Sequence, residues 1–259
     1  MIEIAVAGAL GRMGSLVLQR VAEDPEACVA AAIVSPRHAR IGQSAPIAGR
    51  QLTYVEEPDR SFDVLIDVTN PAASLRWLDY CVARRRPIVI GTTGHSPEQQ
   101  VNIERAASVI PILKASNFSV GVAAVASVVE RLARTLGATH DIEIVETHHA
   151  RKGDAPSGTA LTLLDTVLAA CGRTRTDHAQ FGRHGATGPR PPAQVGIHAI
   201  RMGDHPGTHT VYFSTAGETI SVTHQATSRQ AFVEGAVTAA KWLTRQRPGL
   251  YSMMDCLRG

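Results

Sequence analysis

Two histidines and a lysine lie within five residues of one another at His148, His149 and Lys152, inside the stretch ETHHARKGDAPSGTA from Glu146 to Ala160. An imidazole titrates near neutrality and an ammonium is a mobile point charge, so the set suits binding of an anionic substrate and delivery of a proton to it. Ser157, Gly158 and Thr159 stand just ahead of an apolar run, Leu161 to Leu168, that reads as a helix. Free backbone N–H groups at a helix start, with a hydroxyl beside them, receive a carboxylate. The bland alternative is a plain cap, with Asp154 or Ser157 merely satisfying the helix. Lysine is scarce here, three residues against twenty-three arginines, which gives Lys152 added weight. No metal is expected, because adjacent histidines on a strand point to opposite faces and Cys28, Cys81, Cys171 and Cys256 form no close pair.

A second site is written in glycines. Gly8, Gly11 and Gly14 lie between an alternating strand (Ile2, Ile4, Val6) and a run with helical spacing (Leu16, Val17, Leu18, Val21). Such a turn lets a helix N-terminus approach a pyrophosphate, and its alternative is packing alone. Arg12 inside it adds a cation. The triplet Arg84, Arg85 and Arg86 reads instead as a solvated helix end: with aromatics at 4% there is no interleaved basic and stacking surface, and no nucleic-acid partner is expected.

The elements that position these sites follow from periodicity. Cys28 to Val34 completes a βαβ unit, and Phe62 to Thr69, Arg86 to Thr93 and Val109 to Asn117 read as buried parallel strands ending in small or hydroxyl residues, where open α/β sheets bind ligands. A long helix from Val120 to Leu136 and an alternating strand from Asp141 to His149 come next. From Val195 the chain reads as antiparallel sheet, with Gly-Asp and Ala-Gly-Glu turns, before a helix from Phe232 to Leu243. Arg173 to Pro192 reads as a surface loop. The fold class is α/β: a Rossmann-like doubly wound nucleotide domain plus an inserted α+β domain with a mostly antiparallel sheet.

The 259 residues allow one large or two modest domains, and 44% hydrophobic with 19% charged residues excludes wholesale disorder. No stretch approaches the about 20 apolar residues of a membrane span, and the N-terminal sequence has no basic leader, so a cytoplasmic protein without a membrane partner is expected.

GALGRMG, IDVTNP, IGTTG, ASNFSVGV, ETHHARKGDAPSGTA, RMGDHPGTHTVYFSTAGETISVTHQATSRQAFVEGA and GLYSMMDCL follow in this order along essentially the whole chain. The chain thereby resembles the 4-hydroxy-tetrahydrodipicolinate (dihydrodipicolinate) reductases of the diaminopimelate and lysine route. The resemblance implies reduction of a cyclic dicarboxylate imine by NADPH or NADH, with His148 and Lys152 in proton transfer and His149, Gly158 and Thr159 on the substrate's carboxylates. It implies pyrophosphate contacts at Gly8, Ala9, Leu10, Gly11, Arg12 and Met13, and nicotinamide and ribose contacts at Gly91, Thr92, Thr93, Ala115, Ser116, Asn117 and Phe118. It further implies a nucleotide domain of 1–118 and 228–259, a substrate and oligomerisation domain of 119–227, hinge closure between them, and a homotetramer. The place after the second strand where an acid commonly reads the adenosine ribose holds Val34, Ser35, Pro36 and Arg37. With no carboxylate there and a guanidinium two residues on, NADPH is the expected preference and Arg37 its contact. The competing readings are a paralogue reducing another cyclic imine and an inactive nucleotide-binding regulator.

Overall fold

The computed structural model describes residues 1–47 and 52–258; Gly259, the last residue of the expected nucleotide domain, lies outside them. In chain order the elements are β1 (Ile2–Ala7), α1 (Arg12–Glu23), β2 (Ala27–Ile33), β3 (Ser44–Ala45), β4 (Leu52–Val55), β5 (Val64–Asp67), α2 (Pro71–Arg84), β6 (Ile88–Ile90), α3 (Pro97–Ala106) and β7 (Pro111–Lys114). There follow α4 (Val120–Leu136), β8 (Asp141–His148), α5 (Gly158–Ala170), α6 (Arg175–His178), β9 (Ala179–Phe181), β10 (Val195–Arg201), β11 (Gly207–Ser214) and β12 (Thr219–Ala226). The chain closes with α7 (Gln230–Leu243), β13 (Gly249–Tyr251) and α8 (Met253–Arg258). It separates into two compact units, Met1–Val120 with Gln230–Gly259, and Gly121–Arg229.

The first unit is a sheet of order β13-β7-β6-β5-β1-β2-β4-β3. All its ladders are parallel except the short β3–β4 pair. β2 is buried at all seven positions, as a central strand covered on both faces must be. The strand order reverses at β1, whose neighbours are β5 and β2, and the glycine turn leaves β1 at that switch point. The returning helix α7 is fastened to α1 by Arg20 Nε on Glu234 at 2.7 Å and by Lys241 Nζ on Asp24 at 3.2 Å. Gly235 lets α7 approach the strand-end segment, since a Cβ there would meet the Phe118 carbonyl oxygen at 1.7 Å.

The second unit is a five-stranded sheet of order β12-β11-β8-β10-β9 with one face packed on α4 and α5. Phe213, Ile142, Ile144, Leu164 and Val167 form its core, each such side chain contributing roughly 1.5–3 kcal/mol on burial. One expectation is corrected. β10 does not enter as an antiparallel strand: it pairs parallel with β8 and with β9, and only β11 runs antiparallel, to β8 and to β12. The Gly203-Asp204 segment is therefore not a hairpin turn, because β8 lies between the strands it connects. The polar stretch from Arg173 is also not all loop. It contains α6, capped by Thr174, and β9, whose pairing with β10 supplies backbone partners the side-chain pattern does not announce.

Candidate active site

Along β8 the side chains at 142, 144, 146 and 148 fall on the face that α4 and α5 cover, so the same alternation that buries two isoleucines buries Glu146 and His148. Glu146 is completely buried, and a carboxylate there persists only if its oxygens are satisfied. Arg201 donates to both of them at 2.9 and 2.8 Å, the Ser157 backbone N–H donates to Oε1 at 3.1 Å, and His148 Nδ1 lies 2.5 Å from Oε2. Burial pushes the Glu146 carboxyl up, but the hydrogen bonds from His148 and Arg201 outweigh it and hold the group at about 2. Strand register creates the set. The parallel ladder puts Arg201 beside His148, and the antiparallel ladder puts His209 opposite Glu146.

His209 is buried with Nε2 3.0 Å from the Ser157 hydroxyl, and its ring stands edge-on to that of His148 at 5.1 Å. Burial first, and the neighbouring His148 second, push it down to about 3, so it stays neutral. The Nδ1 side of His148 is thus occupied by Glu146. On the other side, a Cβ at position 207 would lie 2.9 Å from His148 Nε2, and Gly207 keeps that space open.

β8 ends at His148 rather than at His149. The His149 N–H donates to the His205 carbonyl at 3.0 Å, and the Lys152 N–H donates to the His149 carbonyl at 3.1 Å, which folds the loop back. Lys152 Nζ reaches both oxygens of Asp154 at 2.8 and 2.9 Å. Arg201 also donates to the Asp154 carbonyl at 2.7 Å, tying this loop to β10. Ser157 caps α5 by accepting from the Ala160 N–H at 3.2 Å, so the helix opens at Gly158 and the buried Thr159. His148, His149, Lys152, Gly158 and Thr159 therefore share one strand end, loop and helix start of the second unit.

The depressed groups make stability fall on acidification. A folded state that refuses a proton at His209 loses stability relative to the unfolded chain as pH drops below about 6.5. Glu146 and Glu143, the latter held at about 2 against its burial by Arg183, His198 and Arg190, lose their contribution as pH falls from about 4.5 toward 2. Urea unfolding is expected to show a loss of roughly 1–2 kcal/mol between pH 7 and pH 5, reduced in His209→Gln. An identical loss in that variant would remove His209 as the cause.

In the first unit the glycine turn has the geometry of an anion receptor. Gly8 adopts φ +87°, and a Cβ at Gly14 would stand 2.1 Å from the Gly8 carbonyl oxygen, so α1 can begin this close to β1 only with glycines at both places. The Gly8 and Ala9 amides donate to the Ile33 carbonyl and the Gly11 amide to Gly8, but no side chain caps α1, which opens at Arg12 and Met13. A cavity of about 680 Å³ adjoins Gly8, Leu10 and Gly11 and extends to Ser35, Pro36 and His38 after β2. Arg37, between them, has φ +58° and is not part of the described lining. These features fit a dinucleotide, with its pyrophosphate at the uncapped helix start.

Gly91, Thr92 and Thr93 follow β6, and Ala115, Ser116, Asn117 and Phe118 follow β7, at the carboxyl ends of adjacent strands. Their loops are interlocked. Thr92 Oγ1 accepts from the Thr69 N–H at 3.0 Å, and Gly91 has no side chain because the Phe118 ring fills the space.

Glu146, Arg201, His209 and Gly207 were not marked by sequence as site residues. The i, i+2 spacing of Glu146 and His148 on one face was the available signal; Arg201 and His209 carry none, since only pairing brings their strands to β8. Gly153 has open space where a side chain would stand, and nothing in the structure requires glycine there.

The sequence and the fold have relatives among known proteins. Residues 2–118 match the family model of the dihydrodipicolinate reductase N-terminus and residues 121–257 that of its C-terminus. The chain is 43% identical over 264 residues to a 4-hydroxy-tetrahydrodipicolinate reductase of Hahella chejuensis, covering 99% of each chain. It is 44% identical over 261 residues to one of Rubrobacter xylanophilus, covering 99% of this chain and 98% of the other. A dipicolinate-bound dihydrodipicolinate reductase from Paenisporosarcina sp. TG-14 superposes with a TM-score of 0.74 at 25% identity, covering 97% of both.

Proposed function

The chain belongs to the dihydrodipicolinate reductase family, and on that premise we propose how its own residues carry the reaction. It is an oxidoreductase that reduces 4-hydroxy-tetrahydrodipicolinate in the diaminopimelate and lysine route with a nicotinamide nucleotide. The observation that carries the assignment of roles is the convergence of His148, His149, Lys152 and the start of α5 at one end of β8. When bound, the nicotinamide nucleotide supplies the hydride to the substrate ring.

The unit Met1–Val120 with Gln230–Gly259 holds that nucleotide, its pyrophosphate at Gly8 to Met13 and its nicotinamide half at Gly91 to Thr93 and Ala115 to Phe118. In the unit Gly121–Arg229, His149 and the Gly158 and Thr159 amides bind the substrate's carboxylates, the Thr159 hydroxyl adding one charge-assisted hydrogen bond. Glu146 fixes one edge of the His148 ring, and His148 and Lys152 hold and deliver the proton. A preference for NADPH follows from the absence of a carboxylate after β2, where Val34 and Ser35 stand and Arg37 and His38 follow. The protein works in the cytoplasm as a homotetramer, and the mass of the particle in solution measures the latter.

Oxidation of NADPH and of NADH, each with freshly prepared lysine-pathway intermediate, tests the activity and the preference. Absence of turnover with both, or a higher kcat/KM for NADH, overturns the corresponding part. Thr159→Val keeps the shape of the helix start but deletes the hydroxyl, and the substrate KM is expected to rise roughly tenfold to a hundredfold. An unchanged KM would make Thr159 a helix-start residue only.

A further inference from the structure

Arg76 of α2 lines the same cavity as the glycine turn and as Ser35 and His38 after β2, and Glu56, whose carbonyl it meets, also faces the Arg37 backbone N–H after β2. No carboxylate belongs to the described lining, and Arg76 is the lasting cation in it. Several guanidinium groups are neutralised, Arg20 by Asp24 and Glu234, Arg183 and Arg190 by Glu143, and Arg201 by Glu146, whereas the partly buried Arg173 meets only the Gly137 carbonyl and lines no described cavity. Arg76 has no such ion pair among the described residues. Its Nη2 donates to a backbone carbonyl, that of Glu56, at 3.2 Å; its guanidinium carbon lies 4.5 Å from the centre of the buried Trp77 ring; and its Nε is enclosed without a partner.

The side chain is therefore held in one orientation with its charge unanswered, which is how a preorganised anion contact is built. The pyrophosphate of a dinucleotide belongs over the start of α1. The anion left for Arg76 is the phosphate on the adenosine 2′-hydroxyl, because the ribose of a nucleotide bound to a sheet of this order lies at the end of β2. Arg37 is placed differently: its backbone N–H faces the Glu56 carboxylate at 3.5 Å, and it is not part of the cavity lining.

We infer that Arg76 is the residue that selects NADPH over NADH, by gripping the 2′-phosphate in the cavity that His38 also lines. The inference rests on the reading of the first unit as the nucleotide domain, and it moves the phosphate contact from Arg37 to a residue of α2.

The test is equilibrium titration of the full-length protein with NADPH, NADH and 2′,5′-ADP, for wild type, Arg76→Met, Arg76→Lys and Arg37→Ala. Methionine keeps an unbranched stem against Trp77 and removes the charge. NADPH and 2′,5′-ADP affinity is expected to fall roughly tenfold to a hundredfold in Arg76→Met and less in Arg76→Lys, with NADH affinity within about twofold of wild type. If Arg76→Met has no cooperative thermal transition, the loss confined to NADPH in Arg76→Lys is the deciding result. Equal loss for both nucleotides would make Arg76 an adenine-stacking residue, and a selective loss in Arg37→Ala alone would return the phosphate to Arg37; either overturns the inference. Wild type that binds neither nucleotide would instead overturn the reading of the domain, and the inference with it.

Discussion

Lys152→Ala is expected to lower turnover by roughly 10²-fold or more, the range of a lost general acid, with nucleotide affinity nearly unchanged. The reason is positional. Lys152 sits in the folded-back loop between β8 and α5, with its Nζ held by Asp154 and its backbone tied to His149. Alanine removes the ammonium but none of the backbone bonds that shape the loop, so the nucleotide unit should not register the change. His148→Ala should behave in the same way. His149→Ala should mainly raise the substrate KM, because its proposed task is to bind a carboxylate rather than to move a proton. A normal turnover number in Lys152→Ala would take the lysine out of the mechanism, and a collapse of turnover at saturating substrate in His149→Ala would exchange the roles of the two histidines.

The second large effect is expected at Glu146. Glu146→Ala leaves Arg201 without the carboxylate that accepts two of its N–H groups, strips the partner from His148 Nδ1, and orphans the Ser157 amide. Breaking a buried ion pair from one side costs about 3–5 kcal/mol, because the surviving charge is left unpaired. Urea unfolding should register a loss of that order, and kcat should fall as well, since His148 is no longer held by its Nδ1 edge. Glu146→Gln, which keeps the shape and one acceptor, should lose less on both measures. A loss under about 1 kcal/mol in Glu146→Ala would mean that the Arg201 cluster is held by its other contacts and that Glu146 is a passenger.

Much of the fold was legible because local rules and tertiary structure agree. The stretch from Ile2 to Val21 announces strand, glycine turn and helix, and the glycines stand where a positive φ at Gly8 and the close approach at Gly14 require them. The helix expected from Val120 to Leu136 forms over those residues, since its apolar face is written at helical spacing and is buried against β8 and α5. The densest part of the candidate site was equally easy to single out, because its histidines, lysine and helix start lie within fifteen residues of one another, and residues so close in sequence need only a loop to bring them together.

What sequence alone did not carry is pairing. A period of two says which side chains share a face, but not which strand lies alongside or in which direction it runs; β10 has the same alternation whether parallel or antiparallel to β8, and the crossover from β8 through α5 to β10 decided it. For the same reason the alternation can put Glu146 on the face of Ile142 and Ile144 but cannot say what satisfies its charge there. It is buried because Arg201 and His148 satisfy it, and Arg201 comes from a strand whose place beside β8 is fixed only by the packed sheet. Arg76 likewise reads as one more arginine on a surface helix, until the cavity beside the glycine turn and the ring of Trp77 give it an orientation. Local chemistry and periodicity are properties of neighbours in the chain and were determined by the sequence as it stands. Burial, strand direction and the company each charge keeps are properties of neighbours in space, and the tertiary structure decided those.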